Sequence, residues 1–296
     1  MQQFNALKPG DSVEIIAPAS RSTDLQLSKI KRLLESWELK CIVSKEIFGK
    51  DLLCANADRI RLKLLISALE NPETKAVICV RGGYGSMRLI PSLAKIIPPS
   101  FKIFVGMSDI TALHLFFEKH WHWSTIHGSL TEDKVSPDSI ARLKSILFKE
   151  HNNIKLVGVP LNDLARNSEL IEGKITGGNL CLVQSSIGTL WQLDGYEKII
   201  LLEEIGERGY KVDRMLEHLS QANILTSAKA IIIGDFLEGF EPDGSSLINQ
   251  VLERFANECK IPVIQIAGIG HGYNNIPIVM GTKIRLKLGN EIELLC

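Results

Sequence analysis

The chain has no surplus of charge: lysine and arginine total 34, and so do aspartate and glutamate. A balanced surface offers no field to hold nucleic acid or an anionic membrane, and no basic cluster is interleaved with aromatics. No apolar run approaches the ~20 residues needed to cross a bilayer. The amino-terminal M-Q-Q-F-N-A-L-K-P-G-D lacks the basic segment and apolar core of a secretory signal, so a cytoplasmic protein is expected. The six cysteines (Cys41, Cys54, Cys79, Cys181, Cys259 and Cys296) form no C-x-x-C pair. They read as free thiols in a reducing compartment, with neither a disulfide frame nor a zinc site. No cofactor and no metal are expected. Internal repeats and low-complexity stretches are also missing.

What is there is an ordinary globular composition, 45% hydrophobic and 23% charged, over 296 residues, enough for about two domains. Val13 to Ala17 forms a short apolar strand ending at Pro18, followed by a helix that Thr23 or Asp24 can cap and whose apolar positions run from Leu27 to Trp37. Cys41 to Val43 is a second strand. A second helix begins at Ala57-Asp58, with Ile60, Leu64, Leu65 and Ala68 expected on its buried face. Ala76 to Val80 is a continuous apolar strand of the kind buried on both sides in a parallel sheet. It runs into Arg81-Gly82-Gly83-Tyr84-Gly85, a helix from Ser86 to about Ala94, and a strand Ile103 to Val105 that stops at Gly106. Alternating strands and helices predict a doubly wound, parallel-sheet α/β domain over residues 1–150, with ligands beyond the carboxyl ends of the strands.

Pro137 to Phe148 reads as a helix capped by Ser136. Residues 151–172 are polar and without a strong period, and are expected as a linker. Residues 173–296 are expected to form a second, smaller α/β domain. It would have strands at Lys198 to Leu202, Ala230 to Ile233 and Val263 to Ile266, helices around Val212 to Leu219 and Leu247 to Phe255, and one or two closing strands between Ile276 and Leu295.

Ser108 lies in the tight turn between the Ile103–Val105 strand and the helix that begins at Ile110. A hydroxyl on such an elbow sits at a strand's carboxyl end and a helix's amino end, where a developing anion is favoured. The bland alternative is that Ser108 or Asp109 caps the helix. Gly82, Gly83 and Gly85 fit neither the dinucleotide nor the Walker spacing. They suit a loop whose N–H groups approach a ligand closely, as an oxyanion hole requires, or else a turn forced by packing.

A serine nucleophile needs a base, and histidine is the usual one. His114 has the spacing to pair with Glu118, and His120 and His122 lie in an aromatic patch. His127, in T-I-H-G-S-L, and His271, between Gly270 and Gly272, are the stronger candidates, and their local sequence does not choose between them. The carboxylate that orients the base is sought at the end of the Lys198–Leu202 strand, in Glu203, Glu204 or Glu207.

With these segments assembled, the chain resembles the serine-type LD-carboxypeptidase family, which includes muramoyl-tetrapeptide carboxypeptidases and microcin-immunity peptidases. The resemblance rests on L-K-P-G-D and A-P-A-S near the start, R-G-G-Y-G, V-G-M-S-D-I-T-A-L-H, I-H-G-S-L, G-G-N-L, L-L-E-E-I-G-E-R-G-Y-K-V-D-R-M-L and G-I-G-H-G, in order along nearly the whole chain. It implies Ser108 as nucleophile, His271 as general base and Glu203 as the residue orienting it. The oxyanion hole would fall on the N–H groups of Asp109 and Gly83. The family's first domain is related to the class I amidotransferases, its second is smaller, and it forms homodimers. The implied substrate is a small peptide, a murein tetrapeptide that loses its terminal D-amino acid. The alternatives are a peptidyl-nucleotide antibiotic, cleaved for self-immunity, and a non-catalytic two-domain protein that binds a small ligand. Arg81 is expected to hold the substrate's free carboxylate, with Tyr84 and Asn179 as further substrate-binding residues. The sequence departs from the family at Ala19, where serine is common, and in G-S-L after His127, where G-P-M is expected.

Overall fold

Ala76, Val77 and Ile78 are fully buried and lie in the middle strand of the first of two compact units, Met1–His151 and Asn152–Cys296. The computed structural model describes residues 5–131, 135–150, 155–167 and 169–295. In the first unit, strands β1 (Ser12–Ile16), β2 (Lys40–Val43), β3 (Thr74–Cys79), β4 (Ile103–Gly106) and β5 (Thr125–His127) pair in the order β5-β4-β3-β1-β2. All of these pairings are parallel. The chain leaves β1 toward β2 on one side and returns past β1 to β3 on the other. That reversal places a crevice beyond the carboxyl ends of β1 and β3, where an open α/β sheet takes its ligand. The loops emerging there are Pro18–Ser20 and Arg81–Gly85, and β4, next along, emerges at Ser108.

The helices of this unit are α1 (Asp24–Ser36), α2 (Asp58–Glu70), α3 (Ile90–Leu93), α4 (Thr111–Phe116) and α5 (Pro137–Phe148). Thr23 caps α1, accepting from the Gln26 N–H at 3.1 Å, and Ser136 caps α5, accepting from Ser139 at 3.2 Å. The buried stripe of α2 is Arg61, Leu65, Ala68 and Leu69, one residue round from the expected face, with Ile60 and Leu64 only half-buried. The expected helix from Ser86 is a 3₁₀ turn, Ser86–Leu89, running into the single turn of α3. Around α4 the chain changes pitch twice, from a 3₁₀ turn at Ser108–Ile110 to a π-helical turn at Phe117–Trp121. The π turn lays Trp121 on Phe117 with ring centroids 4.7 Å apart.

The second unit is a closed barrel. Its strands β6 (Lys155–Pro160), β7 (Leu170–Asn179), β8 (Lys198–Ile205), β9 (Ala230–Leu237), β10 (Val263–Gln265), β12 (Lys283–Lys287) and β13 (Ile292–Leu295) close in the order β10-β6-β13-β12-β7-β8-β9, and β11 (Ile278–Met280) precedes β12 in the chain. Strands β7 to β10 are parallel neighbours, and β12, β13 and β6 close the ring antiparallel. Ile175, Leu201, Ile232, Ile264, Leu286 and Leu294 belong to the cluster these strands enclose. The helices are α6 (Asp163–Arg166), α7 (Leu180–Ser185), α8 (Gly209–Gln221) and α9 (Ile248–Glu258).

Three expectations are corrected here. The second unit nearly equals the first in length, and its sheet is a mixed barrel. The stretch from 151 to 172 is no irregular linker over its described part: it holds β6, α6 and the start of β7. Buried Asn162 ties that stretch down, its Nδ2 donating to Ala256 O at 3.0 Å and Ile261 O at 2.9 Å while its Oδ1 accepts from Ala165 and Val263, both at 3.1 Å. Finally, the last twenty residues carry three strands. Among the described residues, no helix is long and apolar enough to cross a membrane.

Candidate active site

One candidate group is built at the end of β4. Ser108 has φ of 64°, a left-handed conformation that a non-glycine residue adopts only when its surroundings hold it there. Two glycines make the turn possible. A Cβ on Gly106 would lie 2.7 Å from the Ile110 side chain, and one on Gly82 would lie 2.7 Å from Ser108 Cβ, so the glycine loop packs directly on the Ser108 turn. Neither Ser108 nor Asp109 caps the helix: both helical segments of the turn start without a side-chain cap bond.

Asp109 turns inward instead. Its Oδ2 accepts from the Ser86 N–H at 2.8 Å, Ser86 Oγ donates to its carbonyl at 2.6 Å, and burial pushes its carboxyl group above the usual range. These bonds join the Ser108 turn to the far end of the glycine loop. Ser20 holds the middle of that loop. Its N–H donates to Gly82 O at 3.3 Å, its Oγ accepts from Tyr84 N–H at 3.0 Å, and the same Oγ donates to Leu53 O at 3.1 Å. Gly83, with φ of 108°, is exposed between these tethers, and a Cβ there would lie 2.5 Å from Ser20 Oγ. Among the described residues, the N–H groups of Gly83 and Asp109 donate to nothing in the fold. Arg81 is exposed and forms no ion pair among them, and Tyr84 is exposed beside it. Ala19 is fully buried in the wall behind the loop.

The histidines separate clearly. The His114 ring lies 2.9 Å from the Gly106 carbonyl through Nε2, not against Glu118; burial, only partly opposed by that bond, lowers its pKa to about 4. It braces the elbow as a neutral ring. His127 is fully buried and packs edge-on against His114 at 5.9 Å. His120 packs on Phe116, His122 ends the π turn in the left-handed region, and His218 meets Gln184 on the surface.

His271 is different. Its Nδ1 lies 2.6 Å from Glu203 Oε2, its side chain is 16% exposed, and Glu203 is wholly buried. Glu203 lies in β8, at a break in register between Leu202 and Glu204. A β-bulge of this kind re-aims a side chain. Gly270, with φ of 130°, lets the histidine loop reach the carboxylate, since a Cβ there would lie 2.8 Å from Glu203 Oε2. Two further groups fix the loop: Asp235 Oδ1 accepts from Gly268 N–H at 2.8 Å, and Asn275 Nδ2 donates to the Gly270 carbonyl. Burial alone would lower the His271 pKa. The hydrogen bond to Glu203 and the charges of Glu203, Glu204 and Glu238 outweigh burial and hold it above the ordinary value.

The other two carboxylates have other uses. Glu204 Oε1 accepts from Asn179 Nδ2 at 2.9 Å and its Oε2 from Cys181 N–H at 2.8 Å, which pins the start of α7. Glu207 pairs with Lys211 at 2.9 Å. Asn179 itself is buried, and its Oδ1 caps α7 by accepting from Leu182 at 3.3 Å. Ser86, Asp235, Asn275 and Arg61 are supporting residues that the sequence did not single out. Only Arg61 left a signal, a cation on the buried stripe of an amphipathic helix.

Residues 13–128 match the model of the LD-carboxypeptidase N-terminal domain, and residues 172–286 match that of the LD-carboxypeptidase C-terminal domain. A candidate carboxypeptidase of Rickettsia conorii is 39% identical over 291 residues, an alignment spanning 96% of this chain and 90% of the relative. The solved muramoyltetrapeptide carboxypeptidase of Oxalobacter formigenes superposes with a TM-score of 0.81 at 27% identity, covering 96% of this chain and 98% of its own. The microcin C7 self-immunity protein MccF, solved with aspartyl sulfamoyl adenosine, superposes with a TM-score of 0.83 at 19% identity, covering 100% of this chain and 98% of its own. That last likeness is one of fold alone.

Proposed function

The chain belongs to the LD-carboxypeptidase family, and from that premise we propose that it removes the terminal D-amino acid of a murein tetrapeptide by a serine mechanism. The observation that carries the reading is the hydrogen bond between buried Glu203 and His271, whose side chain is 16% exposed. A carboxylate on Nδ1 fixes the tautomer with its proton there and leaves Nε2 as a base.

In this reading, Ser108 Oγ attacks the carbonyl carbon of the L,D-amide while His271 Nε2 takes its proton, and the carbonyl oxygen becomes an oxyanion met by the N–H groups of Asp109 and Gly83. The C–N bond then breaks, and His271 passes the proton to the departing amine of the D-amino acid. A water molecule, deprotonated by His271, attacks the resulting Ser108 ester and frees the shortened peptide. Arg81 binds the carboxylate of the terminal residue as a bidentate cation, which makes the enzyme an exopeptidase. Tyr84 flanks it, and Asn179, held by Glu204, is a further substrate-binding residue in this reading.

Incubation with purified murein tetrapeptide tests the proposal: release of D-alanine and tripeptide, absent in Ser108→Ala, is expected. Comparing kcat/KM on the tetrapeptide with that on an aminoacyl sulfamoyl adenosine measures substrate class, and a preference for the nucleotide conjugate would move the assignment to antibiotic immunity. A pure binding protein would process neither. A cytoplasmic location and a homodimer belong to the same proposal, and cell fractionation and sedimentation velocity test them.

A further inference from the structure

The Arg61 side chain is fully buried on a helix face whose other members, Leu65, Ala68 and Leu69, are apolar. Burying a cation is costly unless every donor is used, so its partners reveal what it is for. Nε donates to Asn56 O at 2.9 Å, Nη1 to Gly85 O at 2.9 Å and also to Pro18 O, and Nη2 to the Asp58 carboxylate. Charge balance needs only Asp58, and packing alone would be met by an apolar side chain. A planar group with five donors does something neither lysine nor leucine can: it gathers carbonyls from separate segments at fixed angles. Here those segments are the loop after β1, the entry to α2 and the end of the Arg81–Gly85 loop.

The surroundings keep this arrangement. A Cβ on Gly85, whose φ is 112°, would lie 2.4 Å from Cys54 Sγ and 3.2 Å from Arg61 Nη1, so glycine leaves the guanidinium its place. Asp58 reaches past Arg61 to Arg88 Nε, at 3.1 Å and 2.9 Å from its two oxygens, and so grips the 3₁₀ turn that follows the loop. The glycine loop is therefore held by Ser20 at its middle, by Asp109 through Ser86, and by Arg61 and Asp58 at its end. The exposed Gly83 N–H donates to nothing among the described residues.

We infer that Arg61 is a positioning residue for the oxyanion donor: by fixing the Pro18 and Gly85 carbonyls it sets the peptide planes of the glycine loop, so that the Gly83 N–H meets the oxygen as it becomes anionic. This rests on the serine-peptidase reading of the site. Because the donor matters most when charge has developed, loosening it lowers kcat and leaves KM nearly unchanged.

Three variants, Arg61→Lys, Arg61→Met and Arg61→Ala, are measured by hydrogen exchange across the whole chain and by tetrapeptide kinetics. In variants that remain folded, exchange is expected to rise in residues 81–85 ahead of the rest of the sheet. The kcat is expected to fall at least about 10-fold with KM within about threefold, and sub-denaturing guanidinium to restore part of the Arg61→Ala rate. Unchanged exchange in the loop, or a loosened loop with wild-type kcat, overturns the inference. So does a loss confined to KM, or one that simply tracks global unfolding with no rescue. Wild-type inactivity on tetrapeptide would strike the functional reading alone, and the exchange measurement would still decide whether Arg61 holds the loop.

Discussion

Two regions of this molecule each present one of the side chains proposed to react, and they do so by different physics. The Ser108 turn stores its order in the backbone: a left-handed serine, glycines at 82 and 106 that allow close approach, and an adjacent carboxylate, Asp109, turned inward to tie the chain down. The His271 loop stores its order in charge. A bulged strand buries Glu203, and glycine on the histidine's amino side lets the ring reach it at 2.6 Å. The same residue types thus serve opposite ends. Asp109 is next to the proposed nucleophile yet braces the chain, whereas Glu203 sits within a strand yet pairs with His271.

The largest effect that would sharpen this contrast comes from Ser108→Ala. It is expected to lower kcat by roughly 10⁴-fold or more while leaving the thermal midpoint nearly unchanged, because among the described residues the Ser108 hydroxyl makes no hydrogen bond for alanine to lose. A stopped peptidase assay with calorimetry checks both halves. Next, Glu203→Gln is expected to cost roughly 10³-fold in kcat through loss of the tautomer-fixing charge. It also has a pH signature. His271 must be neutral to accept a proton, and its pKa is raised, so kcat/KM should fall as pH drops through a value above the usual 6.5. Removing Glu203 takes away the main group holding that value up, so the acid limb of Glu203→Gln should move to lower pH. A limb that stays put would remove Glu203 from its role.

A smaller loss is expected for Gly270→Ala. The new Cβ would lie 2.8 Å from Glu203 Oε2 on a backbone with φ of 130°. Strain of this kind costs about 2 kcal/mol, read as a lowered unfolding midpoint in urea together with reduced kcat. Arg81→Ala should raise KM roughly tenfold with kcat little changed, since an exposed carboxylate clamp acts on the bound ground state and the transition state alike. The smallest effect belongs to Asp109→Asn, which keeps an oxygen for the Ser86 N–H and removes a carboxyl group that burial disfavours when charged; activity within a few-fold of wild type is the expected result.

Much of the first unit was legible because its central strands, β3 and β4, are buried on both faces. A-V-I-C-V and K-I-F-V-G announce themselves as continuous apolar runs, and the residues at their ends fall where ligands bind. The barrel was harder. In β6, Leu156 and Gly158 point inward while Val157 and Val159 are 61% and 52% exposed, so hydropathy does not alternate and the strand passes for linker. Asn162, which bolts that segment to α9 and β10, has no local signal at all. The helix after Ser108 broke into three pitches because aromatic packing from Phe116 to Trp123 overrides the helical period. Among the site residues, Ser108 and the glycine loop were visible locally. Choosing His271 over His127, and Glu203 over Glu204 and Glu207, required partners far apart in sequence. In three dimensions, His127 is sealed in the core, Glu204 holds α7, and Glu207 pairs with Lys211.

The central proposal is that Ser108 and His271 act as one catalytic group. It is tested most directly by kcat for Ser108→Ala, His271→Ala and the double variant on murein tetrapeptide. Residues that act together lose their function once, so the double variant should be no slower than the slower single variant within about threefold. Losses that multiply in the double variant, or a single variant that keeps the wild-type rate, would contradict it.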